Sequence, residues 1–310
     1  MKTFRINSTS SFDQSNINLA VGNFDGVHVG HQKLIKELVN KSKKDSTKSA
    51  ILSFAPHPRQ YFIKNYKDFS IISESEKINI ISKLGIDYYI SFAFDSYLAS
   101  LAPEKFIGDI LVKKLKIKNI TVGYDFKFGK DRKGDIDLLN KLKSTYGFDV
   151  SVIQPIIYKK NSLAYSSSII RKNIKEGNFE SVSLMLGRNW SITGKVIAGN
   201  KRASKINFPT ANILPTDLIH PKKGVYAITA NYGDIFYNGI ANFGVRPTVD
   251  GEKLLLEAHL FEFNQDIYGK DLTVEFLTFI REEKKFDDFA SLTKQIHEDI
   301  RTARNYNLKK

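Results

Sequence analysis

The sequence predicts two folds in series: an α/β unit on a mainly parallel sheet, then a small antiparallel β-barrel or sandwich carrying a C-terminal helix. Three observations carry this. From residue 19 to about 180, apolar runs of strand length alternate with longer segments of helical period, the rhythm of strands joined by crossover helices. After "LGRNWSITGKVIAG" short apolar runs follow one another with only turn residues between them, the rhythm of antiparallel strands. Finally, 310 residues with 42% hydrophobic content suffice for two ordinary domains. The boundary is expected near Leu186, giving domains 1–186 and 187–310.

The elements follow in order. NLAVGNF reads as a buried strand, and HQKLIKELVNKSKK as a helix with Leu34, Ile35, Leu38 and Val39 on one face. KSAILSFAP is a second strand, EKINIISKLG a helix ended by Gly85, and DYYISFAF a third strand. Pro103 opens a helix over PEKFIGDILVKKLK, where Phe106, Ile107, Ile110, Leu111 and Leu115 recur at helical spacing. KNITVGYDF and FDVSVIQPI bring the strands to five. In such a sheet, ligands gather at the carboxyl ends of the strands. The second half offers SITGKVIAG, GVYAITANYG, IFYNGIANFG, LLLEAHLFEF and DLTVEFLTFI as strands. In FASLTKQIHEDIRTARN, Leu292, Ile296 and Ile300 share the face expected to pack on them.

Composition narrows the chemistry. The absence of cysteine excludes disulfides, thiolate nucleophiles and Cys-based metal sites, leaving oxygen and nitrogen groups to act. No apolar run approaches the roughly eighteen residues of a membrane span, and MKTFRINSTSSF lacks the apolar run of a secretory signal. A soluble cytoplasmic protein, monomeric or weakly homo-oligomeric, is expected. The net charge of +14 suits polyanionic ligands. That excess is mainly dispersed lysine with no nucleic-acid motif beside it, so small phosphorylated ligands are expected rather than nucleic acid.

"GNFDGVHVGH" concentrates the chemistry of the first half, with two of the chain's six histidines three residues apart. Gly22 ends a strand and a helix starts near Gly30 or His31. Backbone N–H groups and the helix dipole favour an anion there, while Gly26 and Gly30 let the backbone come close. Histidine N–H groups can bond phosphoryl oxygens, more strongly if the rings are protonated near neutral pH. Taken alone, these ten residues also fit a metal pair with Asp25, or ordinary surface or capping histidines.

Their wider context is more specific. The stretch resembles the GxFDxxHxGH signature of HIGH-type nucleotidyltransferases, and with Gln32 the version found in bacterial FAD synthetases. "SFAPHPRQYF" is similar to that family's PHP segment, with Ala55 where an acidic residue is usual. "VGYDFKFGKDRKGD" resembles its VGxDFxFGxxRxGD, and "YSSSIIRKNIKEGN" its SSTxIR segment, with Ser168 in place of threonine. In the second half, "NFPTANI" contains the PTAN of riboflavin kinases; alone it reads equally as a β-turn at Pro209. "KKGVYA", "GIANFGVRPTVDG" and "LLLEAHLFEFNQDIYGKDLTVEFLTFIREEKKF" look like the rest of that kinase.

The chain as a whole resembles the bacterial bifunctional riboflavin kinase/FMN adenylyltransferase family. The resemblance implies a Rossmann-like, HIGH-type nucleotidyltransferase domain followed by a β-barrel kinase domain. Riboflavin would be phosphorylated to FMN by ATP, and FMN adenylylated by a second ATP to give FAD and pyrophosphate. The FMN phosphate is anionic at neutral pH, so adenylyl transfer needs positioning and charge neutralisation rather than a strong base. His28, His31 and Arg171 are the implied catalytic groups there, helped by Mg²⁺. Gly22, Asn23, Phe24, Asp25, Gly30, Ser166 and Ser167 are implied at ATP, and His57, Pro58, Asp125 and Arg281 at flavin. In the kinase, Thr210 and Asn212 are implied at ATP and Mg²⁺, with Glu257 as the base. Ala203, Ser204 and Asn207 depart from the usual glycine-rich approach to PTAN, which Lys201, Arg202 or Lys205 would have to offset. An FAD synthetase with a weak kinase is therefore one alternative, and a non-enzymatic flavin or RNA binder a second.

Overall fold

The computed structural model describes residues 1–63, 68–158, 163–197, 208–215, 217–233, 235–248 and 251–307. Packing divides the chain into two compact units, Met1–Lys67 with Ile72–Ser167, and Asp68–Ile71 with Ser168–Lys310. The stretch 198–207, which holds Ala203, Ser204 and Asn207 and the proposed substitutes Lys201, Arg202 and Lys205, lies outside the described residues.

Six parallel strands form the first unit: β1 (Lys2–Ile6), β2 (Ile17–Val21), β3 (Lys48–Ala55), β4 (Tyr88–Ala93), β5 (Ile117–Gly123) and β6 (Asp149–Ile153). Their order is β1-β4-β3-β2-β5-β6, and every pairing is parallel. From β2 the chain steps through β3 to β4 on one side, then returns to place β5 and β6 on the other. The topological switch point therefore lies at the carboxyl ends of β2 and β5, where open α/β sheets bind ligands. All of β2, INLAV, is buried. Four of its five residues are apolar, as a strand covered on both faces requires, and the fifth, buried Asn18, donates from Nδ2 to Asp45 Oδ2 at 2.9 Å.

Helix α1 (Val29–Lys44) buries Leu34, Ile35, Leu38 and Val39, the predicted face. It is followed by α2 (Pro58–Phe62), α3 (Glu74–Ser82), α4 (Ser96–Ser100) and α5 (Pro103–Lys105). Beyond α5 the expected regular helix winds instead as a π-helix over Phe106–Lys114, closed by Leu115 N–H donating to Ile110 O at 2.9 Å. Its core face is nevertheless the expected one, with Phe106, Ile107, Ile110, Leu111 and Leu115 all buried. Helix α6 (Ile136–Tyr146), the short strands β7 (Ile157–Tyr158) and β8 (Leu163–Ala164), and edge strand β1 were not among the predicted elements.

In the second unit, α7 (Ser167–Glu176) and α8 (Phe179–Leu186) precede β9 (Trp190–Ile197), β10 (Ala211–Ile213), β11 (Gly224–Tyr232), β12 (Ile235–Thr248), β13 (Gly251–Leu260) and β14 (Asp271–Arg281). The six strands close in the order β10-β13-β12-β11-β14-β9, all antiparallel, so the second fold is a barrel rather than a sandwich. Closure removes the exposed strand edges that a sandwich would have to protect. PTAN is a loop that runs into β10. Phe179, Trp190, Tyr226 and Phe276 pack ring on ring with centroids 5.0–5.6 Å apart. Segment Asp68–Ile71 joins this unit through Ile219 N–H to Ser70 O (2.8 Å) and Trp190 Nε1 to Ile71 O (2.7 Å). Helix α9 (Phe289–Asn307) packs Ile296, Ile300 and Ala303 against Ala227, Ile240 and Leu277.

At Gly224 the backbone has φ +149°, and a Cβ would run into the Arg281 carbonyl of neighbouring β14. Gly224→Ala is expected to destabilise the second unit by about 2 kcal/mol or more. Urea unfolding followed by the fluorescence of Trp190, the single tryptophan, measures this.

Candidate functional site

The segment between β2 and α1 is strained. Phe24, Gly26 and Val27 have φ of +49°, +83° and +40°, a left-handed region that costs non-glycine residues about 1–2 kcal/mol each. Val27 N–H donates to Phe24 O at 3.0 Å, and Gln32 Nε2 donates to Val27 O at 2.9 Å, tying the turn to its own helix. His28 is the N-cap of α1: its Nδ1 accepts the His31 N–H at 3.3 Å. The two rings stack with centroids 3.6 Å apart, and Phe24 meets His31 edge-on at 5.2 Å. A Cβ at Gly30 would approach the His28 ring to 3.0 Å. Glycine here makes room for the ring.

Burial decides the charge of the pair. Desolvation pushes His28 down to about 4, and lowers His31 well below the ordinary histidine value, with the charges of His28 and Lys77 acting in the same sense. Without a ligand both rings are therefore neutral at physiological pH, contrary to the protonated pair that the sequence allowed. Three buried side-chain polar atoms among the described residues lack a hydrogen-bond partner, and two of them, Asn23 Oδ1 and His31 Nδ1, belong to this turn. Such atoms are costly unless a ligand or water completes them. No group of three His, Asp or Glu side chains among the described residues is arranged to hold a metal.

Other sequence-marked residues of the first unit gather at the carboxyl edge of the sheet. Ser167 Oγ donates to Asp25 O at 2.8 Å, fixing the serine segment to the turn. His57 caps α2, accepting from Arg59 N–H at 3.1 Å, and Pro58 is the helix's first residue. Beside them Tyr61 and Phe62, 39% and 63% exposed, form an aromatic cluster with Phe94 at centroid distances of 5.2–5.8 Å. Asp125 is exposed just beyond β5. The following loop is closed by a two-way bridge between Phe128 and Gly134. Arg171 belongs to the second unit, where its guanidinium lies 3.7 Å from the Phe69 ring centre and Nε donates to Phe69 O at 2.9 Å.

In the barrel, Glu257 of β13 stands opposite Asn212 of β10 and Asn242 of β12. Asn212 is buried, and its Nδ2 donates to Thr210 O at 3.4 Å. Arg246, which the motif reading passed over, donates from Nε to Glu257 Oε2 at 2.6 Å and from Nη1 to Glu283 Oε1 at 2.8 Å. Its signal was available in GVRPT, as a cation one strand away from the expected base. Strand alternation puts Glu257 and His259 on one face of β13. A hollow of about 620 Å³ is lined there by Phe208, His259, Phe261, His297, Arg301 and Arg304, within the size range of small-molecule sites. Arg281, expected at flavin, is held bidentately by buried Asp299 at 2.7–3.2 Å. Withdrawing its donors would leave a carboxylate buried and unpaired, so the pair serves to join β14 to α9.

A strained, anion-ready turn at the switch point of a parallel sheet, and a closed barrel with a hollow on the face of β13 that also carries Glu257, define a two-unit nucleotide-handling class. Residues 10–168 match the FAD synthetase family and residues 186–307 the riboflavin kinase family. The chain is 35% identical over 308 residues to the bifunctional riboflavin kinase/FMN adenylyltransferase of Escherichia coli, covering 99% of this chain and 98% of that one. It is 38% identical over 295 residues to the protein of the same name from Buchnera aphidicola subsp. Acyrthosiphon pisum, covering 94% of each. A crystal structure from Streptococcus pneumoniae, described as a macrolide-efflux protein, shares the fold with a TM-score of 0.88 at 30% identity, over 98% of this chain and 99% of that one. Among the described residues no helix is long and apolar enough to cross a membrane. The chain belongs to the bifunctional riboflavin kinase/FMN adenylyltransferase family.

Because folding lowers the His28 pKa from 6.5 to about 4, the unfolded chain takes up this proton first as pH falls. The associated stability is complete above pH 6.5 and is lost progressively down to about pH 4, about 3 kcal/mol in all. Urea unfolding of wild type and His28→Gln, followed by circular dichroism across this range, should show the shallower pH dependence in the variant.

Proposed function

We propose that this chain makes FAD in two steps at separate sites. Residues 187–310 transfer the γ-phosphoryl group of ATP to riboflavin, giving FMN and ADP. Residues 1–186 transfer AMP from a second ATP to FMN, forming the phosphoanhydride of FAD and releasing pyrophosphate. The observation that carries this is the His28–His31 stack at the start of α1, with unpartnered Asn23 Oδ1 and His31 Nδ1 beside it at the sheet's switch point. Family membership supplies the identity of the substrates.

In the adenylyl-transfer site, an FMN phosphate oxygen attacks the α-phosphorus of ATP, and the bond to the β-phosphate oxygen breaks. No proton need be removed from the nucleophile. Neutral His28 and His31 contribute N–H donors and, once phosphate supplies negative charge, can take up a proton at little cost. Gly22, Asn23, Phe24, Asp25, Gly30, Ser166 and Ser167 shape the nucleotide site, and Arg171 remains a proposed source of positive charge for the same reaction. The aromatic cluster on α2, with His57 and Pro58 at its head and Asp125 beyond β5, offers the flat apolar surface and polar rim that a flavin ring and its phosphate need.

In the kinase site, Glu257 accepts the proton of the riboflavin 5′-hydroxyl as the γ-phosphoryl group arrives. Arg246 occupies Oε2; the proton is assigned to Oε1. The hollow behind Phe208 and His259 accommodates a substrate ring, with Arg301 and Arg304 facing phosphate. The Thr210 hydroxyl and the amide oxygen of Asn212, which stands opposite Glu257 in register, are hard neutral donors that fit Mg²⁺ when phosphates complete its shell. When bound, the ion would neutralise phosphate charge. The proposal places the enzyme in the cytoplasm with its ATP supply, as a monomer or weak homo-oligomer.

Riboflavin, ATP and Mg²⁺ supplied to the pure protein, with FMN and FAD separated by chromatography, test the reading. FAD from FMN without FMN from riboflavin would leave an FAD synthetase with an idle kinase half, the outcome suggested by Ala203, Ser204 and Asn207. His28→Ala or His31→Ala should lower FAD formation at least about a hundredfold while riboflavin phosphorylation stays near wild type. Loss of both reactions with the fold intact would refute the division of labour.

A further inference from the structure

Beneath the His28 turn lies a buried polar chain centred on Lys77, a residue that none of the sequence motifs contains. Lys77 of α3 is only 8% exposed. Its Nζ donates to Asn23 O at 3.2 Å and to Ser53 Oγ at 3.3 Å, and Ser53 Oγ donates to the same Asn23 O at 3.3 Å. Glu74 Oε2 lies 2.9 Å from Lys77 Nζ, and Tyr89 OH donates to Glu74 Oε1 at 2.8 Å. The chain runs from β4 through α3 to the turn and is charge-balanced by its Lys–Glu pair. A buried ammonium is costly to desolvate, and an apolar side chain would fill the space without that cost. What Lys77 adds is a donor aimed at one carbonyl.

That carbonyl belongs to the peptide between Asn23 and Phe24. A trans peptide points its C=O and N–H in opposite directions. With Asn23 O drawn inward by two donors, Phe24 N–H is turned away from the interior. Phe24 has φ +49°, so the arrangement is strained and a peptide flip would relieve it. The flip would also turn a carbonyl dipole outward, where an anion would be repelled.

We propose that Lys77 is a positioning residue of the adenylyl-transfer site, pinning the Asn23 carbonyl so that the Phe24 N–H is presented to the phosphates of ATP. This rests on reading the first unit as the adenylyltransferase. Because Glu74 cancels the lysine charge nearby, the effect is one of backbone geometry more than of field.

The test compares wild type with Lys77→Met, Lys77→Arg and the charge-neutral double variant Lys77→Met/Glu74→Gln, measuring FAD formation from FMN and ATP. A wild-type protein that forms no FAD overturns both the inference and the reading beneath it. If wild type is active, the double variant, folded by circular dichroism and phosphorylating riboflavin normally, is expected to raise the KM for ATP in adenylyl transfer about ten- to a hundredfold. The KM for FMN should change little, and Lys77→Arg should recover most of the loss. An unchanged KM for ATP in the double variant overturns the inference. So does a Lys77→Met defect that Glu74→Gln fully restores, since the harm would then come from a stranded carboxylate. If the double variant does not fold, Ser53→Ala removes the second donor to the same carbonyl. A rise of about threefold or more in the KM for ATP then supports the pin, and no change overturns it.

Discussion

The first unit depends on how one turn is held. Between β2 and α1, Phe24, Gly26 and Val27 occupy left-handed backbone in close succession. Such a turn persists only where its surroundings over-determine it. Here the constraints come from several directions: Ser53 and Lys77 on the Asn23 carbonyl, Ser167 on the Asp25 carbonyl, Gln32 on the Val27 carbonyl, and His28 capping α1. With the carbonyls occupied by protein donors, the turn is organised for an anion instead of competing with one. Its position at the switch point of the sheet puts this geometry where the strands diverge and a ligand has room.

The electrostatics follow from the same packing. Two imidazoles stacked at 3.6 Å in a poorly solvated place cannot both carry charge without a counter-ion. Their neutral resting state would make the site responsive to a polyphosphate, which would supply the missing negative charge on binding. The barrel solves a related problem with permanent partners. Arg246 lies between Glu257 and Glu283, and Arg281 is gripped by buried Asp299. The first group includes the expected base, whereas the second pair joins β14 to α9. The same residue types thus flank an expected base in one place and hold two elements together in another, and the difference lies in what each guanidinium touches.

Much of the fold was legible because burial imposes period. The mostly apolar run of β2, the helical face of α1 and the closely spaced strands of the second half all carry their environment in their spacing. Elements with weaker patterns escaped: β1 at the sheet edge, three-residue β10, and the helix α6, whose Leu138, Leu139 and Leu142 did offer a helical signal. The π-helical winding of Phe106–Lys114 preserves the expected apolar face, so spacing alone could not reveal it. The motif residues His28, His31 and Ser167 are linked through one turn, while Arg281 pairs with Asp299.

The sequence by itself determined the two rhythms, the family, and which short segments carry chemistry, because these depend on residue type and order along the chain. Only the tertiary structure decided that His28 and His31 rest neutral, that Arg246 clasps Glu257, and that Lys77, far from every motif, reaches the Asn23 carbonyl. Desolvation and hydrogen-bond partnership are set by neighbours brought together through the fold, up to 54 positions apart for Lys77 and Asn23. No local pattern records those distances.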